Sequence, residues 1–212
     1  MTLQITKRMQ GKMEGFKSLN TSPLANPFCK KMVKESPNDI ICKFCYSTRA
    51  IITYAKAAQR SWGINTDILS REVLEDHRIP EIKDKVFRFH SHGELLNATH
   101  YINFCNIAWK NPNTYFTLFT KRPNLTRGID RPPNMGLIYS EPRINNYVEE
   151  IPEGFDRRFT VFTKDYIEEN EIDINCGGKK CIECLTCYTP NNGITHVNEK
   201  IKGPKKPVYL LD

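Results

Sequence analysis

Short alternating runs of apolar and polar residues punctuate the middle of the chain, separated by stretches with apolar residues at helical spacing. Residues 85–90, KVFRFH, alternate and are rich in β-formers. Residues 114–120 (TYFTLFT), 135–140 (MGLIYS) and 159–163 (FTVFT) have the same character, so four strands are expected. Leu95, Leu96, Ile102, Phe104, Cys105, Ala108 and Trp109 predict a helix over 95–110 whose apolar face joins the core. Upstream, Ile51, Ile52, Tyr54, Ala55 and Ala58 form a stripe that predicts a helix capped by Ser47 or Thr48 and ended by Gly63. Ile68, Leu69, Val73 and Leu74 predict another over about 66–77. Asn20, Ser22, Pro23, Asn26 and Pro27 mark irregular chain, and Ser36, Pro37, Asn38 and Asp39 mark a turn. FTLFTK at 116–121 nearly repeats as FTVFTK at 159–164, which suggests equivalent places in a repeating unit.

Strands alternating with helices predict an α/β fold, a partial parallel (β/α) barrel. Each expected strand ends in polar or ionisable residues: His90, Ser91 and His92; Thr120, Lys121 and Arg122; Ser140 and Glu141; Thr163 and Lys164. In parallel βα architectures such ends form the rim of the active site. One polar strand end is ordinary solvation; four together point to a rim. Continued alternation would set His90 and His92 on one face, as acid–base groups, substrate ligands or metal ligands. Two solvated histidines are the plainer reading, and His77, His100 and His196 have no comparable setting.

The chain has 212 residues, 39% of them hydrophobic and 26% charged, enough for one medium domain with a small appendage. The expected division is a barrel domain over 1–170 and a small segment over 171–212. No apolar run approaches the ~20 residues that span a bilayer, and the first residues do not resemble a secretory signal. A cytoplasmic protein without a membrane partner is therefore expected. In a reducing compartment the eight cysteines argue for metal rather than disulfides. The net charge of +7 suits nucleic acid or a phosphorylated substrate, but its basic residues are dispersed and equally suit a solvated surface.

The cysteines fall into two sets. Cys29, Cys42 and Cys45 are spaced C-x12-C-x2-C, with Phe44 and Tyr46 around the last. Three thiolates at one point suit a metal centre with an open coordination position. The plainer readings are core cysteines, or one completing the other set. Cys176, Cys181, Cys184 and Cys187 are spaced C-x4-C-x2-C-x2-C. Consecutive C-x2-C steps suit an iron–sulfur cluster better than a zinc ribbon, whose cysteine pairs stand further apart, and zinc stays open here. Cys105 lies in an apolar helical pattern and reads as a buried, inert thiol.

Two resemblances follow from these residues. The Cys29–Tyr46 stretch, followed by βα units and by SHGEL with Gly93 and Glu94, resembles the radical S-adenosylmethionine superfamily. The first spacing here is longer than that superfamily's C-x3-C-x2-C, and His92 stands where one of two usual glycines would. The ordered set NPFC, CKFCYS, FHSHGEL, FTLFTKR, IYSEP and CGGKKCIECLTCY is similar to a phage-encoded family known as gene product 88, over most of the chain.

The superfamily resemblance implies a 4Fe–4S cluster on Cys29, Cys42 and Cys45, whose fourth iron takes the amine and carboxylate of S-adenosylmethionine. Gly93, Glu94 and Ser140 would bind that cofactor, with Glu94 accepting from its amine. His90, His92, Lys121 and Lys164 would be the catalytic residues of the rim. Reductive cleavage would give a 5′-deoxyadenosyl radical, fed by an electron donor and used on an unidentified substrate, a nucleotide or nucleic acid among the options. Cys176, Cys181, Cys184 and Cys187 would hold an auxiliary cluster. If the protein is phage-encoded, this happens in the host cytoplasm. Two other readings fit the cysteines. One is an iron–sulfur carrier that uses no S-adenosylmethionine. The other is a zinc or iron–sulfur module that binds nucleic acid or a host protein, with Phe87, Phe89 and Tyr115 as base-stacking candidates.

Overall fold

Seven strands form one sheet in which spatial order follows chain order. They are β1 (Ile5–Thr6), β2 (Ser18–Leu19), β3 (Val86–Phe89), β4 (Tyr115–Thr120), β5 (Met135–Ser140), β6 (Arg157–Phe162) and β7 (His196–Lys200). β1 runs antiparallel to β2, and β2 through β7 are mutually parallel. The sheet is mixed α/β and does not close: β1 and β7 are its two ends. This computed structural model describes all residues except 54, 55, 202–205, 211 and 212, and every side chain among them but that of Lys56. The expectations for Tyr54 and Ala55 lie outside the described residues.

The helices are α1 (Pro27–Glu35), α2 (Tyr46–Thr53), α3 (Lys56–Arg71), α4 (Ala98–Lys110), α5 (Lys164–Glu169) and the single turn α6 (Cys181–Cys184). Cys29 therefore sits on a helix, not in a loop. Asn26 caps α1 by accepting from the Phe28 amide, and Pro27 takes the first helical position, where its missing N–H costs nothing. Gly63 does not end a helix. α3 runs through it because Trp62, Ile68 and Leu69 bury on one side. α3 stops at Arg71, short of 77, because Asn103 of α4 takes over its end. The Asn103 amide donates to the carbonyls of Leu69 and Glu72, both at 2.8 Å, and its oxygen accepts from Leu74 N at 2.8 Å.

The four expected strands are present. The regular strand–helix repeat is not: helices follow β2, β3 and β6, while β4–β5 and β5–β6 are joined without an α-helix. Paired residues share a face of the sheet. Phe87, Phe89, Phe116, Leu118, Met135 and Leu137 face the helices and are buried there with Leu69 and Phe104. Phe89 stacks between Phe104 and Phe116, with ring centroids at 4.2 and 4.9 Å. Burial of Phe87 and Phe89 leaves neither available to stack on a base. Trp109, expected in the core, is 52% exposed because it points off the solvent side of α4.

The near-repeat is not a structural one. In register, Phe119 stands beside Ile138 and Ile138 beside Arg157, so Phe159 shares the face of Phe119 rather than that of Phe116. The rings of Phe119 and Phe159 touch at 5.6 Å. Residues beyond 171 supply β7 to this same sheet. The tail packs back on the domain: Val208 is buried and its amide donates to Lys43 O at 3.0 Å.

Candidate functional site

The polar ends of β3, β4 and β5 meet at one place. After Phe89 the chain turns through His90, at φ 56°, and Gly93, at φ 104°. A side chain at 93 is impossible without rearrangement: its Cβ would lie 2.2 Å from Thr21 Oγ1 and 2.6 Å from the Thr21 carbonyl. That turn delivers Glu94 into the interior. Its carboxylate accepts from Leu95 N at 2.7 Å, from the Thr120 hydroxyl, and from Lys121 N at 2.8 Å. Burial raises the Glu94 pKa, against the opposing pull of Lys121. The Lys121 ammonium donates to Ser140 Oγ at 2.7 Å, which ties the end of β4 to the end of β5. Burial would lower Lys121, but Cys42, Glu94 and Cys45 together raise it.

Cys29, Cys42 and Cys45 surround this network. The first comes from α1, the second from the turn Ile41–Phe44 that packs on α1, and the third from the residue before α2. All three are half-buried free thiols. The Cys29 thiol is pushed well up by burial, then by Glu94, Cys45 and Cys42. Cys42 is pushed to about 11 by burial, with Lys121 opposing. The thiols of Cys29 and Cys42 have no hydrogen-bond partner among the described residues, and Cys45 Sγ accepts from Thr48 N at 3.5 Å. As they stand, no three His, Cys, Asp or Glu side chains among the described residues are arranged to hold a metal ion. A cluster is wider than an ion, and the donor set, three soft thiols beside a buried ammonium, is chemically suited to one.

The gene product 88 family matches residues 4–206, a span containing every cysteine and the whole of this network. The chain belongs to that family. No curated protein and no solved structure matches it. The likeness to radical S-adenosylmethionine enzymes therefore rests on residues alone.

In this gene product 88 member the two histidines do not share a face, because the left-handed turn at His90 breaks the alternation. His90 is buried, with Nε2 at 3.0 Å from Thr21 Oγ1 and its ring edge-on to His100 at 5.0 Å. Burial, then His100 and Arg88, keep it neutral by lowering its pKa well below the usual value. His92 stacks on Trp62 at 4.4 Å and has Nδ1 at 3.0 Å from Ser47 Oγ, tying the turn to α2 and α3. Burial, with Arg88, lowers His92 to about 4. Lys164 is not in the network. It begins α5, is 65% exposed and pairs with Glu168 at 3.5 Å. The Thr163 side chain caps that helix instead of joining the rim.

The second cysteine set lies on the opposite face of the sheet from the helices. Cys176 bridges to Glu199 beside β7, Cys181 and Cys184 bound α6, and Leu185, at φ 52°, reverses the chain toward Cys187. Lys12 Nζ lies 3.3 Å from Cys176 Sγ and 2.5 Å from Glu199 Oε1. Burial raises Cys176 and Cys181 and pushes Cys187 to about 12, while the Thr186 hydroxyl lowers Cys184. Tyr188, just beyond, packs on Phe16 at 4.5 Å, and Thr117 Oγ1 of β4 donates to Cys187 O at 3.0 Å.

Sequence reasoning missed Lys12, Arg88 and His100. Arg88 looked like the polar half of an alternating strand. Cys105 is a buried thiol as expected, and burial pushes it to about 11.

Proposed function

We propose that the chain is an iron–sulfur enzyme of the radical S-adenosylmethionine type, with a 4Fe–4S cluster on Cys29, Cys42 and Cys45. One observation carries this reading: three thiols from α1, the following turn and the start of α2 meet Glu94, Lys121 and Ser140 at the C-terminal ends of parallel strands. The open, mostly parallel sheet in chain order supports reading these elements as a partial (β/α) barrel, whose rim the strand ends would form. Bound there with S-adenosylmethionine, such a cluster supplies one-electron reductive cleavage of the sulfonium and hence hydrogen-atom abstraction.

The protein's own groups would position the reactants. Glu94 already makes three hydrogen bonds, two at Oε1 and one at Oε2. Oε2 retains one acceptor position, which suits the cofactor's ammonium. Lys121, shared between Ser140 and the thiols, is placed to balance a carboxylate. Neutral His90 and His92 fix the Gly93–Glu94 turn through Thr21 and Ser47. Cys176, Cys181, Cys184 and Cys187 would hold the second cluster, with zinc the alternative. An electron donor as partner follows from this chemistry, and work in a host cytoplasm would follow if the protein is phage-encoded. Among the described residues no helix is long and apolar enough to cross a membrane.

The test uses protein prepared without oxygen, given reductant and S-adenosylmethionine, with products separated by chromatography. The reading expects 5′-deoxyadenosine from the wild type and none from Cys42→Ala. Cluster-loaded wild type that neither binds S-adenosylmethionine in equilibrium dialysis nor releases 5′-deoxyadenosine contradicts it.

A further inference from the structure

Arg88 is the exception among the arginines that are not exposed. Arg131 grips Asp156 through both terminal nitrogens, at 2.6 and 2.8 Å. Arg158 pairs with Glu141, and Arg78 with Glu72. Arg122 donates to the carbonyls of Leu95 and Leu96, Arg157 to those of Ile194 and Thr189, and Arg49 to that of Lys206. Arg88 has no carboxylate and no carbonyl partner among the described residues. Its one polar contact is a long one, NH1 to Tyr188 Oη at 3.4 Å, and its buried Nε has no partner.

Arg88 is half-buried, and a guanidinium nitrogen shut off from water without an acceptor is costly; five donors held in a planar fork match a carboxylate or a phosphate. The placement is specific. Arg88 pairs in register with Thr117, on the sheet face away from the helices. Its guanidinium lies 3.6 Å over the ring of Phe119, two residues further along β4. It therefore leans toward the strand ends where Lys121 and Ser140 meet, with Tyr188 and the second cysteine set on its other side.

We propose that Arg88 is a binding residue for an anionic group, the carboxylate or phosphate of a small substrate, held on this inner sheet face between the two cysteine sets. The Phe119 ring supports the fork through a cation–π contact, and the Nε edge supplies the unused donor. The inference rests on reading the rim as an active site, but its test does not depend on turnover.

The probes are inorganic phosphate and succinate, titrated at matched ionic strength into the full-length, metal-loaded protein, with heat of binding and thermal midpoint as readouts. Saturable binding with a raised midpoint is expected for one of the two, and which one saturates separates phosphate from carboxylate. Arg88→Met should weaken that binding at least about tenfold with iron and zinc content unchanged, and Arg88→Lys should retain part of it. No saturable binding of either probe by the wild type overturns the proposal, as does equal binding by Arg88→Met. Should Arg88→Met lose metal instead, Arg88 is the counter-charge of the cysteine thiolates and the proposal also fails. Anion binding by cluster-loaded wild type that neither binds S-adenosylmethionine nor releases 5′-deoxyadenosine keeps the Arg88 site and contradicts the radical reading.

Discussion

The two cysteine sets differ in how they are made. Cys176, Cys181, Cys184 and Cys187 lie within twelve residues of one another, and local turns bring them together. Cys29 stands on α1 and Cys45 just before α2, and they come near Glu94 and Lys121 only because β3, β4 and β5 end at the same level. The C-terminal set reaches the surface, where Cys184 is exposed and Lys12 is the neighbouring cation. The set of Cys29, Cys42 and Cys45 is folded into the network of Glu94, with Lys121 as its cation. A locally built set can bind metal in a loosened protein; a set built by tertiary structure cannot. On the proposed function, the local set is the structural or auxiliary one and the assembled set is the place of chemistry.

The largest expected effect separates the sets directly. Cys42→Ala should remove all metal from the first set and leave the second loaded, whereas Cys187→Ala should do the reverse, with metal and sulfide analysis as the check. Next comes Gly93→Ala. The clash with Thr21 and the positive φ should destabilise the fold by about 2 kcal/mol or more. It should displace Glu94, so its thermal midpoint should fall and metal at the first set should weaken more than at the second.

Acid should act on the first region more than on the second. His92 and His100 are lowered to about 4 and about 3, mainly by burial, against about 6.5 in an unfolded chain. Between those values the unfolded state binds more protons, so stability is full above about pH 6.5 and falls as pH drops toward 3–4. Thermal unfolding across that window should show the fall, and His92→Gln should lessen it. Lys164→Met should have the smallest effect. Its exposed pair with Glu168 is worth at most about 1 kcal/mol, so stability and metal content should stay near wild type, in contrast to Lys121→Met.

Much of the sheet was legible because β3 to β6 carry their signal locally, in alternating β-branched and aromatic residues. β1 and β2 have two residues each, too few for a pattern. β7, HVNEK, is a polar edge strand held by its register to β6 rather than by its own apolar face. α1 was hidden by its polar surface, although Asn26–Pro27 is a helix-start signal. At the site, the cysteine spacings and the Gly93–Glu94 pair were visible. The Lys121–Ser140 link and the lack of a carboxylate partner for Arg88 among the described residues were not, because both depend on the register between strands distant in the chain.

The most direct measurement is iron, acid-labile sulfide and zinc per chain, on wild type and Cys42→Ala prepared without oxygen. The account predicts iron and sulfide in the wild type, with a share of both lost in Cys42→Ala. Zinc without sulfide in the wild type, or iron and sulfide unchanged in Cys42→Ala, would contradict it.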